Sequence, residues 1–126
     1  MFSGRSLGSL YLDQKFLAGI GNYLRSEILF DAGLSPFARP KSLGLDAIRS
    51  LSAATLNISR RSYKTKGITN RPKLVEELKA AGWTRSKYRH AVFGREGAKC
   101  HMCDSKIAKD AIAARRIYYC GNCQEV

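Results

Sequence analysis

The sequence predicts a fold that is mainly α with one small β-hairpin. Three observations carry this expectation. Apolar residues recur at steps of four along 24–32 and of three or four along 48–58, the spacing of a helix with one inward face. Asn70, Pro72 and Gly82 punctuate a third helical stretch. The four cysteines of the chain form two Cys-x-x-Cys pairs, Cys100 with Cys103 and Cys120 with Cys123, with sixteen residues between the pairs.

In chain order, residues 6–17 read as a short apolar helix interrupted by Gly8. Gly19 and Gly21 in Ala18-Gly19-Ile20-Gly21-Asn22 permit backbone angles closed to other residues and a close approach to a ligand. Asn22 is expected to cap a helix over Tyr23 to Asp31, with Leu24, Ile28 and Ala32 facing the core and Gly33 ending it. Pro36 and Pro40 make the next stretch a rigid connector. A long helix is expected from Leu45 to Arg61, with Ile48, Leu51, Thr55 and Ile58 inward and Asp46 at its positive end. The third helix, Arg71 to Ala81, takes Asn70 as cap, Pro72 in its first turn and Gly82 as terminator, with Leu74, Val75 and Leu78 inward. Trp83 is expected in the core. The basic-aromatic run Arg85 to His90 leads through Ala91-Val92-Phe93 and the turn Gly94 to Gly97 into the first cysteine pair.

Two residues between paired cysteines let both thiolates reach one ion from a single tight turn, and a second pair completes a closed tetrahedral site. Cys100, Cys103, Cys120 and Cys123 are therefore expected to hold one structural zinc ion. The intervening segment fits two short strands whose exposed loop carries Arg115 and Arg116. Two disulfides are the competing reading, and they belong to secreted proteins. The start, Met-Phe-Ser-Gly-Arg-Ser-Leu-Gly, lacks the apolar stretch and cleavage site of a signal peptide, so a reducing, cytoplasmic setting is expected. No apolar run approaches membrane-spanning length, and no membrane partner is expected. A net charge of +12 on 126 residues points to a polyanion, with nucleic acid as the default.

The glycine turn opening a helix offers free N–H groups and a partial positive charge to a phosphate, and the Asn22 amide can donate to the same anion. Here the run Leu12-Asp13-Gln14-Lys15-Phe16-Leu17-Ala18-Gly19-Ile20-Gly21-Asn22-Tyr23-Leu24-Arg25-Ser26-Glu27-Ile28-Leu29 closely resembles the helix–two-turns–helix motif of the formamidopyrimidine-DNA glycosylase/endonuclease VIII family. Val92-Phe93-Gly94-Arg95-Glu96-Gly97 with the cysteine quartet resembles that family's zinc finger, and both motifs stand in the family's order. Asn22-Tyr23-Leu24-Arg25, with Ser62 to Asn70, is more similar to the endonuclease VIII branch.

The resemblance implies a helix–two-turns–helix DNA-binding part over residues 1–90 and a zinc-finger β-hairpin over 91–126. It implies that Asn22 and the arginine five residues before the third cysteine, Arg115, grip phosphates beside a damaged nucleotide in double-stranded DNA, with Gly21 adding a backbone contact. Arg116 takes this role if the hairpin register differs by one. The family's nucleophile is an N-terminal proline on a separate catalytic domain, and no proline precedes Pro36. The chain is thus expected to be the DNA-binding C-terminal portion of a base-excision-repair glycosylase/AP lyase acting on oxidised bases, binding DNA as a monomer without cutting it. In the parent protein its partner would be its own N-terminal catalytic domain. No catalytic residue and no small-molecule cofactor are assigned here. Glu27 is expected in a helix salt bridge or as a cap partner, His90 and His101 are isolated, and nothing activates Lys15. Two other classes stand beside this one: a non-enzymatic zinc-ribbon nucleic-acid-binding module and a zinc-mediated protein-interaction domain.

Overall fold

Helix α1 (Asn22–Ala32) is the axis of the molecule. The computed structural model describes residues 6–7, 22–112 and 115–126, so the helix expected over 6–17, the glycine turn and Lys15 lie outside the described residues. All residues from Leu24 to Leu29 are buried. At about 100° per residue that run passes through more than a full turn, so α1 is enclosed on every side. Asn22, expected as a cap just outside the helix, is its first residue instead. Gly33, at φ 71°, ends it as expected: the Gly33 N–H donates to the Phe30 carbonyl (3.0 Å) and the Leu34 N–H to the Leu29 carbonyl (3.1 Å).

After a 3₁₀ turn at Pro40–Ser42, helix α2 (Leu45–Thr65) packs on one side of α1. Its inner line is Leu51, Ala54, Ile58 and Ser62. This corrects the expected stripe at two positions. Ile48 is 45% exposed, and half-buried Thr55 turns its hydroxyl onto the Leu51 carbonyl of its own helix (2.7 Å). Steps of three and four fit two adjacent lines, and packing against Leu24 and Ile28 selects the one through Ala54. The helix also runs one turn past Arg61. It stops where Lys66 takes the left-handed conformation (φ 59°) and the Gly67 N–H donates to the Ser62 carbonyl (2.8 Å).

Helix α3 (Pro72–Ala80) buries Val75, with Leu74 and Leu78 half-buried, and ends through Gly82 (φ 89°). Asn70 does not cap it. Its buried amide instead donates to the carbonyls of Tyr88 (3.1 Å) and His90 (3.2 Å), and Arg71 stands at the cap position without a side-chain capping bond. A single turn, α4 (Arg85–Tyr88), follows, and Trp83 before it is 37% exposed rather than core. Strands β1 (Ala108–Ile112) and β2 (Arg115–Tyr119) then form an antiparallel hairpin closed by the pair Ile112↔Arg115. The fold is mainly α with a small β-hairpin, as the sequence predicts. No described helix is long and apolar enough to cross a membrane.

Two apolar clusters flank α1. Leu24 and Ile28 meet Ala54 and Ile58 on one side. On the other, Phe30 packs against Val92, Cys100, Ile107, Tyr118 and Cys120. Polar side chains of α1 tie the second cluster down. Glu27, expected in a helix salt bridge or as a cap partner, is buried and accepts four hydrogen bonds from outside its own helix. These come from the Thr69 hydroxyl (2.6 Å) and the N–H groups of Ala91 (2.6 Å), Val92 (2.8 Å) and Phe93 (3.0 Å). Its carboxylate thus caps the segment that leads into the cysteines.

His90 completes this network, with Nδ1 2.7 Å from the Thr69 hydroxyl and its ring between Tyr23 (5.0 Å) and Phe93 (5.6 Å). The Thr69 proton goes to Glu27, so the Nδ1–H tautomer of His90 donates to Thr69. Burial first, and then the Arg89 charge, push the His90 pKa from 6.5 down to about 3.

Replacing Glu27 with Ala strands the N–H groups of Ala91, Val92 and Phe93, and is expected to lower stability by about 3 kcal/mol or more in urea denaturation. Because the His90 pKa is depressed on folding, its contribution is complete above pH 6.5 and is lost as pH falls toward about 3. Midpoints of urea denaturation should fall across that window, and His90→Gln should flatten the fall.

Candidate nucleic-acid interface and metal centre

The four cysteines converge although sixteen residues separate the pairs. Their sulfur atoms all lie within 4.8 Å of one another, with Cys103 to Cys120 at 3.4 Å and Cys100 to Cys123 at 3.8 Å. A disulfide needs about 2.05 Å, so these are not disulfide contacts. A tetrahedral ion with thiolate bonds of about 2.3 Å sets its sulfurs about 3.8 Å apart, and the cluster fits that spacing. Each pair sits in a tight turn. The Met102 N–H points at Cys100 Sγ and the Cys123 N–H at Cys120 Sγ, both at 3.4 Å. Asp104, in the left-handed conformation at φ 65°, closes the first turn by donating its N–H to the Cys100 carbonyl (3.0 Å). Hydrogen bonds from Ser105 and then Asn122 draw the Cys103 thiol down to about 6, while burial pushes Cys100 and Cys123 up. A cation among the sulfurs reverses that burial penalty, which gives the cluster the chemistry of a closed metal site.

The hairpin is pinned along the length of α1. At its turn end the Arg25 Nη2 donates to the carbonyls of Arg115 (3.0 Å) and Arg116 (3.0 Å), with that of Ile112 at 3.4 Å. In the middle the Tyr118 N–H donates to the Ser26 hydroxyl (3.2 Å). At the cysteine end, buried Gln124 accepts from the Cys120 N–H (2.8 Å) and donates to the Leu34 carbonyl just past α1 (3.0 Å). The exposed Arg115 and Arg116 open β2 and are held beside the first turn of α1. Asn22 opens that turn, three residues before Arg25 and so about 4.5 Å along the axis. Gly21 lies outside the described residues, as does the Asn22 side chain. The structure thus brings together the helix start and the hairpin end that the sequence singled out.

Three further arginines hold backbone in place. Arg61 donates to the Thr69 carbonyl (2.9 Å), Arg85 to that of Lys66 (2.8 Å) and Arg89 to that of Gly67 (3.1 Å), all at the negative end of α2. Gly67 takes a φ of 112°, which favours glycine, and a Cβ there would press at 2.7 Å on the end of the flexible Arg89 side chain. Arg60, Lys64 and Lys66 are exposed, as is Tyr63 at 90%, while Tyr88 is buried. His101 lies in the first cysteine turn, its ring 5.7 Å from Trp83. The residue that sequence reasoning missed is Arg25. The one local signal was a polar triplet, Arg25-Ser26-Glu27, between Tyr23-Leu24 and Ile28-Leu29-Phe30.

The model of the formamidopyrimidine-DNA glycosylase H2TH domain matches residues 2–73. Endonuclease 8 of Shigella sonnei is 42% identical over 123 residues, covering 98% of this chain and 43% of that protein. Among solved structures, the MutM (Fpg) protein of Thermus thermophilus superposes with a TM-score of 0.77 at 33% identity, over 96% of this chain and 45% of that one. A complex between Lactococcus lactis Fpg and an abasic site containing DNA gives a TM-score of 0.77 at 26% identity, over 97% and 44%. The chain spans about 43% of the length of the curated relative it matches. With more than half of its residues inside the family model and the fold shared throughout, this chain belongs to the formamidopyrimidine-DNA glycosylase H2TH family.

Proposed function

We propose that this chain is the DNA-clamping portion of an endonuclease VIII-like DNA glycosylase/AP lyase that acts on oxidised bases. The observation that carries the reading is the placement of Arg115 and Arg116 beside the first turn of α1 by Arg25 and Ser26. A helix start with its free N–H groups and a guanidinium on a hairpin are two donors of different kind, suited to gripping one phosphate backbone from two sides. In this reading Gly21 and Asn22 form one jaw, and Arg115, with Arg116 beside it, forms the other. Similar proteins solved with DNA containing 8-oxo-G or an abasic site support damaged duplex as the ligand.

Cys100, Cys103, Cys120 and Cys123 would hold one zinc ion, whose role is to cross-link the two turns and fix the hairpin. The tetrahedral spacing of soft sulfur donors supports zinc. We place base removal and strand cleavage in a catalytic domain outside these 126 residues, so this chain binds DNA and leaves it intact.

Fluorescence anisotropy with a duplex containing one abasic site tests the clamp. Asn22→Ala and Arg115→Ala should each weaken binding about tenfold, the scale of one charge-assisted hydrogen bond. With about five phosphates neutralised, log affinity should fall with log salt at a slope of about −4 to −5. No binding at low salt, or no effect of either substitution, refutes the reading. Metal analysis should find one zinc per chain. Its removal by a chelator, or the loss of any one cysteine, should abolish duplex binding while far-UV circular dichroism still shows the helices, because Leu24, Ile28, Ala54 and Ile58 form a cluster without cysteine.

A further inference from the structure

Among the described residues, Arg25 is the one lysine or arginine that is buried. Its Nη2 lies under the end of the hairpin, 3.0 Å from the Arg115 and Arg116 carbonyls and 3.4 Å from that of Ile112. Those oxygens belong to the last residue of β1 and the first two of β2, so one planar, rigid group holds both strands where they meet residues 113–114. Side chains alternate along a strand, and Arg115 and Arg116 therefore leave β2 on opposite sides. A one-residue slip of the hairpin register would exchange which arginine faces a given side.

We propose that Arg25 is a positioning residue of the phosphate clamp: by gripping the carbonyls of Ile112, Arg115 and Arg116 it fixes the turn end of the hairpin and holds Arg115 beside the first turn of α1. The inference rests on the clamp reading above and adds the residue that sets its geometry. Burial, and after it the charge of Arg115, lower the Arg25 pKa to about 10. A phosphate bound at Arg115 relieves that repulsion, so the buried cation also strengthens anion binding.

The test is a double-mutant cycle on the zinc-loaded 126-residue chain with the same abasic-site duplex. In the unmodified chain, Arg115→Ala costs about tenfold in affinity and Arg116→Ala less than about threefold. Arg25→Met, with zinc content and helix signal intact, is expected to cost about tenfold by itself and to shrink the Arg115→Ala penalty below about twofold. Arg25→Lys keeps the charge and one donor group, and should recover part of the affinity. Amide hydrogen exchange at 115–117 in the DNA-free chain should quicken in Arg25→Met. Additive penalties for Arg25→Met and Arg115→Ala, or unchanged exchange at 115–117, overturn the positioning role. Loss of zinc or helix in both Arg25 variants overturns it too, making Arg25 a folding residue. Failure of the unmodified chain to bind the duplex removes the clamp reading instead, and the exchange result still decides whether Arg25 holds the hairpin.

Discussion

Three consecutive polar side chains inside a buried helix hold this molecule together. Arg25, Ser26 and Glu27 are all buried, and successive residues on a helix point about 100° apart. They therefore reach different partners: the end of the hairpin, its middle, and the segment entering the first cysteine turn. Burying a guanidinium and a carboxylate is costly unless their bonding groups find partners. Here the partners are backbone carbonyls and N–H groups from distant parts of the chain. The cost of desolvation becomes a demand for one arrangement, because any other leaves charged groups unpaired. Apolar clusters on either side of α1 supply cohesion without that specificity.

The same economy governs the positive charge. A net +12 is not all available to a partner, since Arg25, Arg61, Arg85, Arg89 and Arg95 donate to backbone carbonyls. Three of them gather at the negative end of α2, where they neutralise the helix dipole and join the loop after α2 to α4. The exposed basic residues include Arg60, Lys64, Lys66, Arg115 and Arg116. The two at the hairpin are distinguished by what lies beneath them. A cation on a braced backbone loses less freedom on meeting a phosphate than one on a flexible surface.

Much of this was legible in the sequence because it follows from spacing. The cysteine quartet, the helix ended by Gly33 and the one ended by Gly82 all appear where turn chemistry and periodicity put them. Spacing fails where two solutions share it. Ile48 and Thr55 fit a helical stripe as well as Ala54 does, and only the position of α1 decides between them. Asn70 has the residue type of a cap, yet the carbonyls of Tyr88 and His90 claim its amide. Tertiary partners of that kind leave no local mark. Arg25 and Glu27 were harder still, because hydrophobic patterning treats a charged residue as a surface residue. Their one mark was a place between apolar flanks, Tyr23-Leu24 and Ile28-Leu29-Phe30, and a charge buried there needs a partner.

The start of α1 and the hairpin are proposed to form a single anion-binding surface, built on Arg25 and held by the cysteine cluster. Amide chemical-shift mapping of the zinc-loaded chain with a short abasic-site duplex tests it most directly. The account predicts that the largest shifts fall together at residues 22–26 and 115–118 and that all fit one dissociation constant. Shifts confined to the outer face of α2, around Leu56 and Tyr63, with both of those segments unmoved, would contradict it.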